Sequence, residues 1–224
     1  MKRITLFAGP YGSGQTNIAV NYALQLRKAL GRDKDILVAD LDIVNPYFRT
    51  KDSCAVLQEN GIKLICSEYA NSNLDIPSLP SEMYAITDTP SYAVIDVGGD
   101  DRGALALGRF VPEILKENNY EMYFVVNKYR PLTPDADSAI EVMREIEFSC
   151  GMSFTGIVNN SNIGEETTAQ AVANSFDYAD EISQKTGLPV VMTTVDKRIY
   201  PDIKQIKKDA KPLTLYVRQS WQRG

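Results

Sequence analysis

The stretch "LFAGPYGSGQTNIAVNYA", residues 6–23, decides the fold of this chain. An apolar run is followed by a turn rich in glycine and then by a helical pattern of apolar residues. Gly9, Gly12 and Gly14 allow successive backbone N–H groups to point into one concavity, and a helix that begins directly afterwards turns its positive end toward the same place. The pattern predicts a loop that binds phosphate groups. A glycine-rich turn that only starts a helix is the alternative reading.

One position of this loop departs from the usual pattern. The pattern G-x-x-x-x-G-K-[ST] places a lysine where this chain has Gln15, followed by Thr16 at the position of the hydroxyl that coordinates Mg²⁺. A glutamine amide can donate hydrogen bonds to phosphate oxygens, but it cannot neutralise their charge. We therefore expect Gln15 to permit nucleotide binding and to slow chemistry, with Ser13 and Asn17 completing the contacts of the loop.

The composition excludes several classes of function. The 224 residues include no histidine and carry a formal net charge of -5, so the sequence offers neither imidazole chemistry nor a basic surface for nucleic acid. The three cysteines form no C-x-x-C pair for a metal or an iron–sulfur cluster, and they are expected to be buried thiols of a reducing compartment: Cys54, Cys66 and Cys150. No apolar run reaches about 18 residues, so we expect a cytoplasmic protein without membrane contact.

Short apolar runs alternate with helical patterns along the chain. This alternation predicts one α/β domain over residues 1–224, with three α/β/α layers and a mostly parallel sheet of about seven or eight strands. The helix at 134–149 should have Thr133 as its N-cap, Pro134 at its first position and Gly151 after its end. The expected strands lie at 3–9, 35–40, 63–67, 92–97, 122–127, 154–160, 189–194 and 213–218. The other expected helices lie at about 15–30, 52–60, 79–87, 103–117, 165–185 and 200–209.

Acidic residues follow two further predicted strands. Asp40 and Asp42 end the second strand in "DLDIVNP", where at least one carboxylate should reach the carboxyl edge of the sheet and hold a divalent ion or an attacking water. Asp96 ends the fourth strand in "VIDVGGDD", which suits the outer shell of a metal ion, with an N–H group of Gly98 or Gly99 directed at a terminal phosphate. A plain turn would explain either segment alone. Three such segments at three strand ends favour a site for Mg²⁺ and nucleotide.

The glycine loop, "DLDIVNP", "VIDVGGDD" and "GIVNNSN" resemble, in this order, the ParA/MinD/CobQ group of SIMIBI-class P-loop ATPases. The resemblance covers nearly the whole chain and implies a P-loop NTPase fold with ATP or ADP and Mg²⁺ as cofactors. It implies that Asp42 positions the attacking water and, with Thr16 and Asp96, serves the metal. It also implies that Asn160 hydrogen-bonds the adenine edge, with Asn159 as the competing candidate, while the loop "TVDKR" passes along the base.

The chain also departs from this group near the start of the loop. Pro10 stands where most ParA-like ATPases have a signature lysine, and Tyr11 replaces a glycine. The family's ATP-sandwich dimer is therefore not carried over, and a homodimer is left open. A cation from elsewhere in the chain could replace the charge that Gln15 lacks, although each candidate is more often a solvated surface residue. Arg49 is the favoured candidate, ahead of three others: Lys51, Lys128 and Arg130.

These features predict a nucleotide-dependent switch with weak or absent ATPase activity and a protein partner not identified by the sequence. Its loops at 42–51 and 97–103 would order around a terminal phosphate. A second reading is an enzyme that phosphorylates or ligates a small molecule with ATP, as the dethiobiotin synthetase-like relatives do. A third reading is a scaffold that has lost nucleotide binding. The first predicts a conformational change without a product, the second a product, and the third neither.

Overall fold

The computed structural model describes residues 1–41, 53–66, 80–98 and 101–216. These residues contain eight strands: β1 (Ile4–Ala8), β2 (Ile36–Asp40), β3 (Lys63–Cys66), β4 (Tyr92–Val97), β5 (Tyr120–Val126), β6 (Gly156–Asn159), β7 (Val190–Asp196) and β8 (Ala210–Leu213). They also contain nine α-helices: α1 (Gln15–Leu30), α2 (Cys54–Glu59), α3 (Ala85–Asp88), α4 (Asp101–Gly108), α5 (Val111–Glu117), α6 (Ala136–Cys150), α7 (Ala169–Ala173), α8 (Phe176–Thr186) and α9 (Tyr200–Ile206).

All eight strands belong to one parallel sheet in the order β3-β2-β4-β1-β5-β6-β7-β8. Successive side chains of β1 point to opposite faces, so that Leu6 packs on one side with α4, α5 and α6, whereas Phe7 packs on the other side with α1 and α2. Because both faces of the sheet are covered, the inner strands β1, β2 and β4 are almost entirely buried and mostly apolar. The predicted three-layer α/β/α architecture is confirmed.

The eighth strand is the one that the sequence misplaces. The sequence predicts it at 213–218, of which residues 217 and 218 lie outside the described residues. The strand lies at Ala210–Leu213, paired with β7 at the edge of the sheet. Pro212 conceals this strand in the sequence, since proline lacks the N–H that a strand in the middle of a sheet requires. At an edge the missing donor is tolerated. Residues 214–216 instead run beside α1, where the Asn21 side chain bonds both the N–H and the C=O of Thr214.

Two predicted helices are each divided in two. The segment predicted at 103–117 forms α4 and α5, and Pro112 lies in the first turn of α5, where it cannot continue the hydrogen-bond ladder of α4. The segment predicted at 165–185 forms α7 and α8, which are separated by Asn174 and Ser175. In both cases the apolar period continues across the break, so the periodicity alone does not reveal it.

The beginning of α6 also differs from the prediction. Asp135, and not Thr133, is the N-cap, because the Asp135 carboxylate accepts hydrogen bonds from the backbone N–H and the hydroxyl of Ser138, at 2.9 and 2.8 Å. Pro134 disfavours helical geometry at the residue before it, and Thr133 is fully buried. Gly151 ends the helix with a φ of 75°, as predicted.

None of the three cysteines, all of which are described, forms a disulfide bond. Cys150 is buried in the core, whereas Cys54 and Cys66 are only partly buried, so the expectation of three buried thiols is wrong for two of them.

Candidate functional site

The loops of interest lie together at the carboxyl edge of the sheet. β1 lies between β4 and β5, and it leads directly into the glycine loop at residues 9–14. The register places Asp96 of β4 beside both Phe7 of β1 and Asp40 of β2. Asp96 is fully buried, and Asp40 is nearly so. The parallel order therefore brings Asp96 next to the strand that carries the loop, with Asp40 one strand further away.

The backbone of the loop requires glycine at three positions. Gly12 and Gly14 have φ values of 75° and 90°, in the left-handed region. At Gly9, a Cβ atom would lie 2.3 Å from the carbonyl oxygen of Val125 on β5. The turn is closed by a hydrogen bond of 2.9 Å from the N–H of Ser13 to the carbonyl of Pro10. The loop is thus a tight turn of the backbone that connects the end of β1 to the first turn of α1.

The side chains of the loop interact with each other. The Ser13 hydroxyl donates a hydrogen bond of 2.8 Å to Oε1 of Gln15, which leaves the NH₂ group as the donor end of that amide. Gln15 and Thr16 are both buried in the first turn of α1. Oδ1 of Asn17 accepts a hydrogen bond of 2.9 Å from the N–H of Tyr216, so this residue ties the segment after β8 to the same turn.

Asn160 links the loop to the far side of the sheet. Its Nδ2 donates to the carbonyl of Ser13 at 2.7 Å, and its Oδ1 accepts from the hydroxyl of Thr194 on β7, also at 2.7 Å. A Cβ atom at Gly14 would lie 2.3 Å from the same Nδ2. Both ends of the Asn160 amide thus hold protein groups. Its reading of a base stays a prediction, and the structure adds a role in shaping the loop.

Asn159 is engaged in a different place. Its Nδ2 donates to the hydroxyl of Ser175 at 2.9 Å, and its Oδ1 accepts from the hydroxyl of Ser161 at 2.7 Å. Asn159 is fully buried. It therefore fixes the turn after β6 to the beginning of α8, which is the ordinary role of a buried asparagine at a strand end.

The two cations of the loop after β5 contact different segments of the chain. The Lys128 ammonium donates to the carbonyl of Asn174 at 2.9 Å, at the end of α7, so it does not face the glycine loop as the sequence suggested. Nε of Arg130 donates to the carbonyl of Gly12 at 2.8 Å, so this guanidinium lies on the glycine loop itself. Arg49 and Lys51 lie outside the described residues.

A small cleft lies beside the loop, at the carboxyl ends of β6 and β7. The residues that line it include Asn160, Asn162, Asp196 and Leu215. Asp196 belongs to the "TVDKR" segment that was expected to pass along a base. Leu215 was missed because the sequence placed it inside a strand. The alternating apolar pattern of "LTLYVR" gave no signal that this side chain would face a cleft.

The predicted metal ligands are described in part. Thr16 lies in the first turn of α1 and Asp96 on the neighbouring strand β4, whereas Asp42 and Gly99 lie outside the described residues. No group of three or more metal-binding side chains occurs among the residues that the structure describes. Mg²⁺ is commonly held by one or two carboxylates together with substrate phosphates and waters, so a hydroxyl and a carboxylate fit it without such a group.

Comparison with solved structures shows which fold this is. The signal recognition particle receptor FtsY from Elizabethkingia anophelis superimposes with a TM-score of 0.50 at 12% sequence identity, covering 85% of this chain and 57% of that chain. The fold is that of a P-loop NTPase. The same receptor in complex with GDP has a TM-score of 0.41 at 10% identity, with 88% of this chain and 49% of that chain covered.

The signal recognition particle 54 kDa protein from Aeropyrum pernix in complex with GDP has a TM-score of 0.48 at 15% identity, covering 84% of this chain and 40% of that chain. This chain thus spans about half the length of these structures. No protein-family model and no curated protein sequence matches it. At these identities the likeness shows the fold alone. In the part of the chain that the structure describes, no helix combines the length and apolar character needed to cross a membrane.

Proposed function

We propose that this chain binds ATP or ADP with Mg²⁺ and acts as a ParA/MinD-like nucleotide-dependent switch that hydrolyses ATP slowly or not at all. One observation supports this above all others. A glycine loop with two left-handed residues and no room for a Cβ at a third leads from the central strand of a parallel sheet into α1. This is the arrangement by which backbone N–H groups and a helix N-terminus bind phosphate.

The residues around the loop fit a metal-bound nucleotide. The N–H groups of Gly12, Gly14, Gln15 and Thr16 would hold the phosphates, and the Thr16 hydroxyl with Asp96 would hold Mg²⁺. Two residues outside the described ranges would complete the site, Asp42 at the metal and Gly99 through its N–H at the terminal phosphate. When bound, the metal neutralises phosphate charge. The cleft beside Asn160, which Asp196 and Leu215 also line, marks the side of the loop on which the base would lie.

The character of the loop explains why hydrolysis should be slow. Gln15 supplies an uncharged donor where the usual lysine supplies a full positive charge, and its amide is oriented by the Ser13 hydroxyl. Charge shifts between oxygens as phosphoryl transfer proceeds, so a missing charge costs the transition state more than the ground state. The output of binding would then be the ordering of the loops at 42–51 and 97–103 for recognition by a protein partner.

A scaffold without nucleotide is the second candidate. The Ser13–Gln15 hydrogen bond favours it, because this contact pairs the Ser13 hydroxyl with the Gln15 amide oxygen without any ligand. A scaffold would keep the fold and the glycine loop and would show no affinity for nucleotides.

Calorimetry with the substitution Gln15→Lys tests the proposal. Titration of ATP and of ADP in the presence of Mg²⁺, with GTP and GDP as comparators for the base, measures affinity, and phosphate release is followed in the same samples. Binding by the unmodified chain, with turnover that appears or rises only in Gln15→Lys, is the expected result. The matched control is Gln25→Lys, which adds the same charge to an exposed position of the same helix.

Each outcome of this experiment is informative. Equal turnover in Gln15→Lys and Gln25→Lys would mean that the charge at position 15 is not what limits hydrolysis. Absence of binding in the unmodified chain and in both variants would exclude the nucleotide switch and leave the scaffold. A preference for GTP over ATP would retain the switch and correct the base.

A further inference from the structure

We propose that Arg130 is a phosphate-binding residue that supplies, from the loop after β5, the positive charge that Gln15 does not. This inference rests on the proposed function, because it concerns the same nucleotide site. Arg130 would take the role of the missing lysine although it lies 115 positions after Gln15 in the sequence.

The sheet order explains how Arg130 reaches the loop. β5 is the neighbour of β1, so the loops that follow these two strands lie side by side at the carboxyl edge. Nε of Arg130 donates to the Gly12 carbonyl at 2.8 Å. A Cβ atom at Gly12 would lie 3.2 Å from Nε and 3.6 Å from Cζ of Arg130, so the guanidinium lies against the loop at that residue.

The turn that carries Arg130 is held in place by buried groups. Asn127 at the end of β5 is fully buried, and its Oδ1 accepts from the N–H of Tyr129 at 3.1 Å. The N–H of Arg130 donates to the carbonyl of Asn127, also at 3.1 Å. The Tyr129 hydroxyl and the Lys128 ammonium both bond α7. Three successive residues are thus directed by defined contacts, and the third is directed at the glycine loop.

The charge of Arg130 has no acidic partner within the described residues. No carboxylate of that part of the chain forms an ion pair with it, and the Gly12 carbonyl uses one of its five N–H donors. Arg130 is only partly exposed, and this burial lowers the pKa of its guanidinium. An anion bound between this partly desolvated cation and the N–H donors of the loop would compensate the positive charge.

Phosphate is the anion that this geometry suits. A guanidinium presents parallel N–H groups that match two phosphate oxygens, and it remains charged at any physiological pH. The N–H groups of the loop, the N-terminus of α1 and Arg130 then form one positive region around the phosphate chain. We expect the loss of this charge to weaken the binding of MgATP about 10- to 100-fold.

The test compares two substitutions on the same loop. Arg130→Gln and Lys128→Gln each remove one positive charge, but only Arg130 contacts the glycine loop. Calorimetry with MgATP should show the weakening of about 10- to 100-fold in Arg130→Gln and less than about threefold in Lys128→Gln. In the background of Gln15→Lys, the substitution Arg130→Gln should cost clearly less, since the new lysine already supplies the charge.

The other outcomes separate this inference from simpler ones. If Arg130 only fixes the Gly12 carbonyl, Arg130→Gln will lower the affinity for MgATP by the same factor with and without Gln15→Lys. That result would overturn the inference. Equal losses in Arg130→Gln and Lys128→Gln also overturn it, since the effect is then the net charge of the loop. If the unmodified chain binds no nucleotide, the proposed function fails instead.

A second measurement needs no variant and does not depend on the folding of one. Phenylglyoxal modifies accessible arginines, and peptide mass spectrometry reports the extent at each residue. MgATP should protect Arg130, whereas Arg144, whose side chain is 59% exposed on α6 and paired with Glu147, should be modified to the same extent with and without nucleotide. Equal modification of Arg130 in both samples, under conditions where MgATP binds, would refute the inference.

Discussion

Replacement of Gly14 by alanine should destabilise the protein for two separable reasons. The φ of 90° lies in the left-handed region, where a Cβ atom costs about 1–2 kcal/mol. The new Cβ would also lie 2.3 Å from Nδ2 of Asn160, so the hydrogen bond of 2.7 Å from Asn160 to the Ser13 carbonyl must break or shift, at about 0.5–1.5 kcal/mol. We expect a total loss of about 2–3 kcal/mol in the free energy of unfolding.

Gly151→Ala is the matched control, because it has only the first of these costs. Gly151 has a φ of 75°, and no atom lies within 4 Å of the position of its Cβ. Urea unfolding followed by circular dichroism gives the midpoint and the slope for each variant. Gly151→Ala should lose about 1–2 kcal/mol, and Gly14→Ala should lose measurably more.

The difference between the two variants should depend on Asn160. In the background of Asn160→Ala, the Cβ at position 14 meets no amide, so Gly14→Ala should cost no more than Gly151→Ala does. Equal losses in Gly14→Ala and Gly151→Ala with Asn160 present would refute the reasoning, since the close approach would then have no energetic consequence.

Two further predictions concern stability away from the site. Asp135→Ala should lower the free energy of unfolding, measured with urea, by about 0.5–2 kcal/mol, because the N-cap bond to Ser138 is lost. Asp135→Asn should retain most of this stability. Equal losses in the two variants would contradict the assignment of the cap. Arg3 donates a hydrogen bond to Glu117 and holds the pKa of that carboxyl below its ordinary value of 4.5. The native state then binds fewer protons than the unfolded state just below that pH, so stability is lost as the pH falls through this range. Glu117→Gln should make the acid side of the stability–pH curve flatter, and the same substitution at the exposed Glu113 should not.

The sequence by itself determined the elements whose signals are local. The limits of α1, the glycine loop and seven of the eight strands follow from apolar periods and glycine spacing, which act between residues close in the chain. The placement of Asp96 at a strand end beside the loop also followed, because a parallel sheet gathers its carboxyl ends at one edge.

Local signals were not sufficient where a contact between distant segments decides the outcome. Pro212 concealed β8, since the sequence does not show that this strand lies at an edge. Pro112 divided a helix whose apolar period continues without interruption. Asp135 is the N-cap of α6 because Pro134 restricts the backbone of Thr133. The carbonyl of Thr133 accepts a hydrogen bond from the Tyr178 hydroxyl instead.

The candidate site shows the same division. Its glycines were visible in the sequence, because the conformations that they permit are intrinsic to the residue. The contacts of Asn160 with Ser13 and Thr194, and of Arg130 with Gly12, were not, since each joins residues more than 30 positions apart. The order of the strands decides which loops lie side by side, and that order depends on the packing of the whole sheet. The tertiary structure therefore decided which of the two described candidate cations, Lys128 and Arg130, lies at the glycine loop.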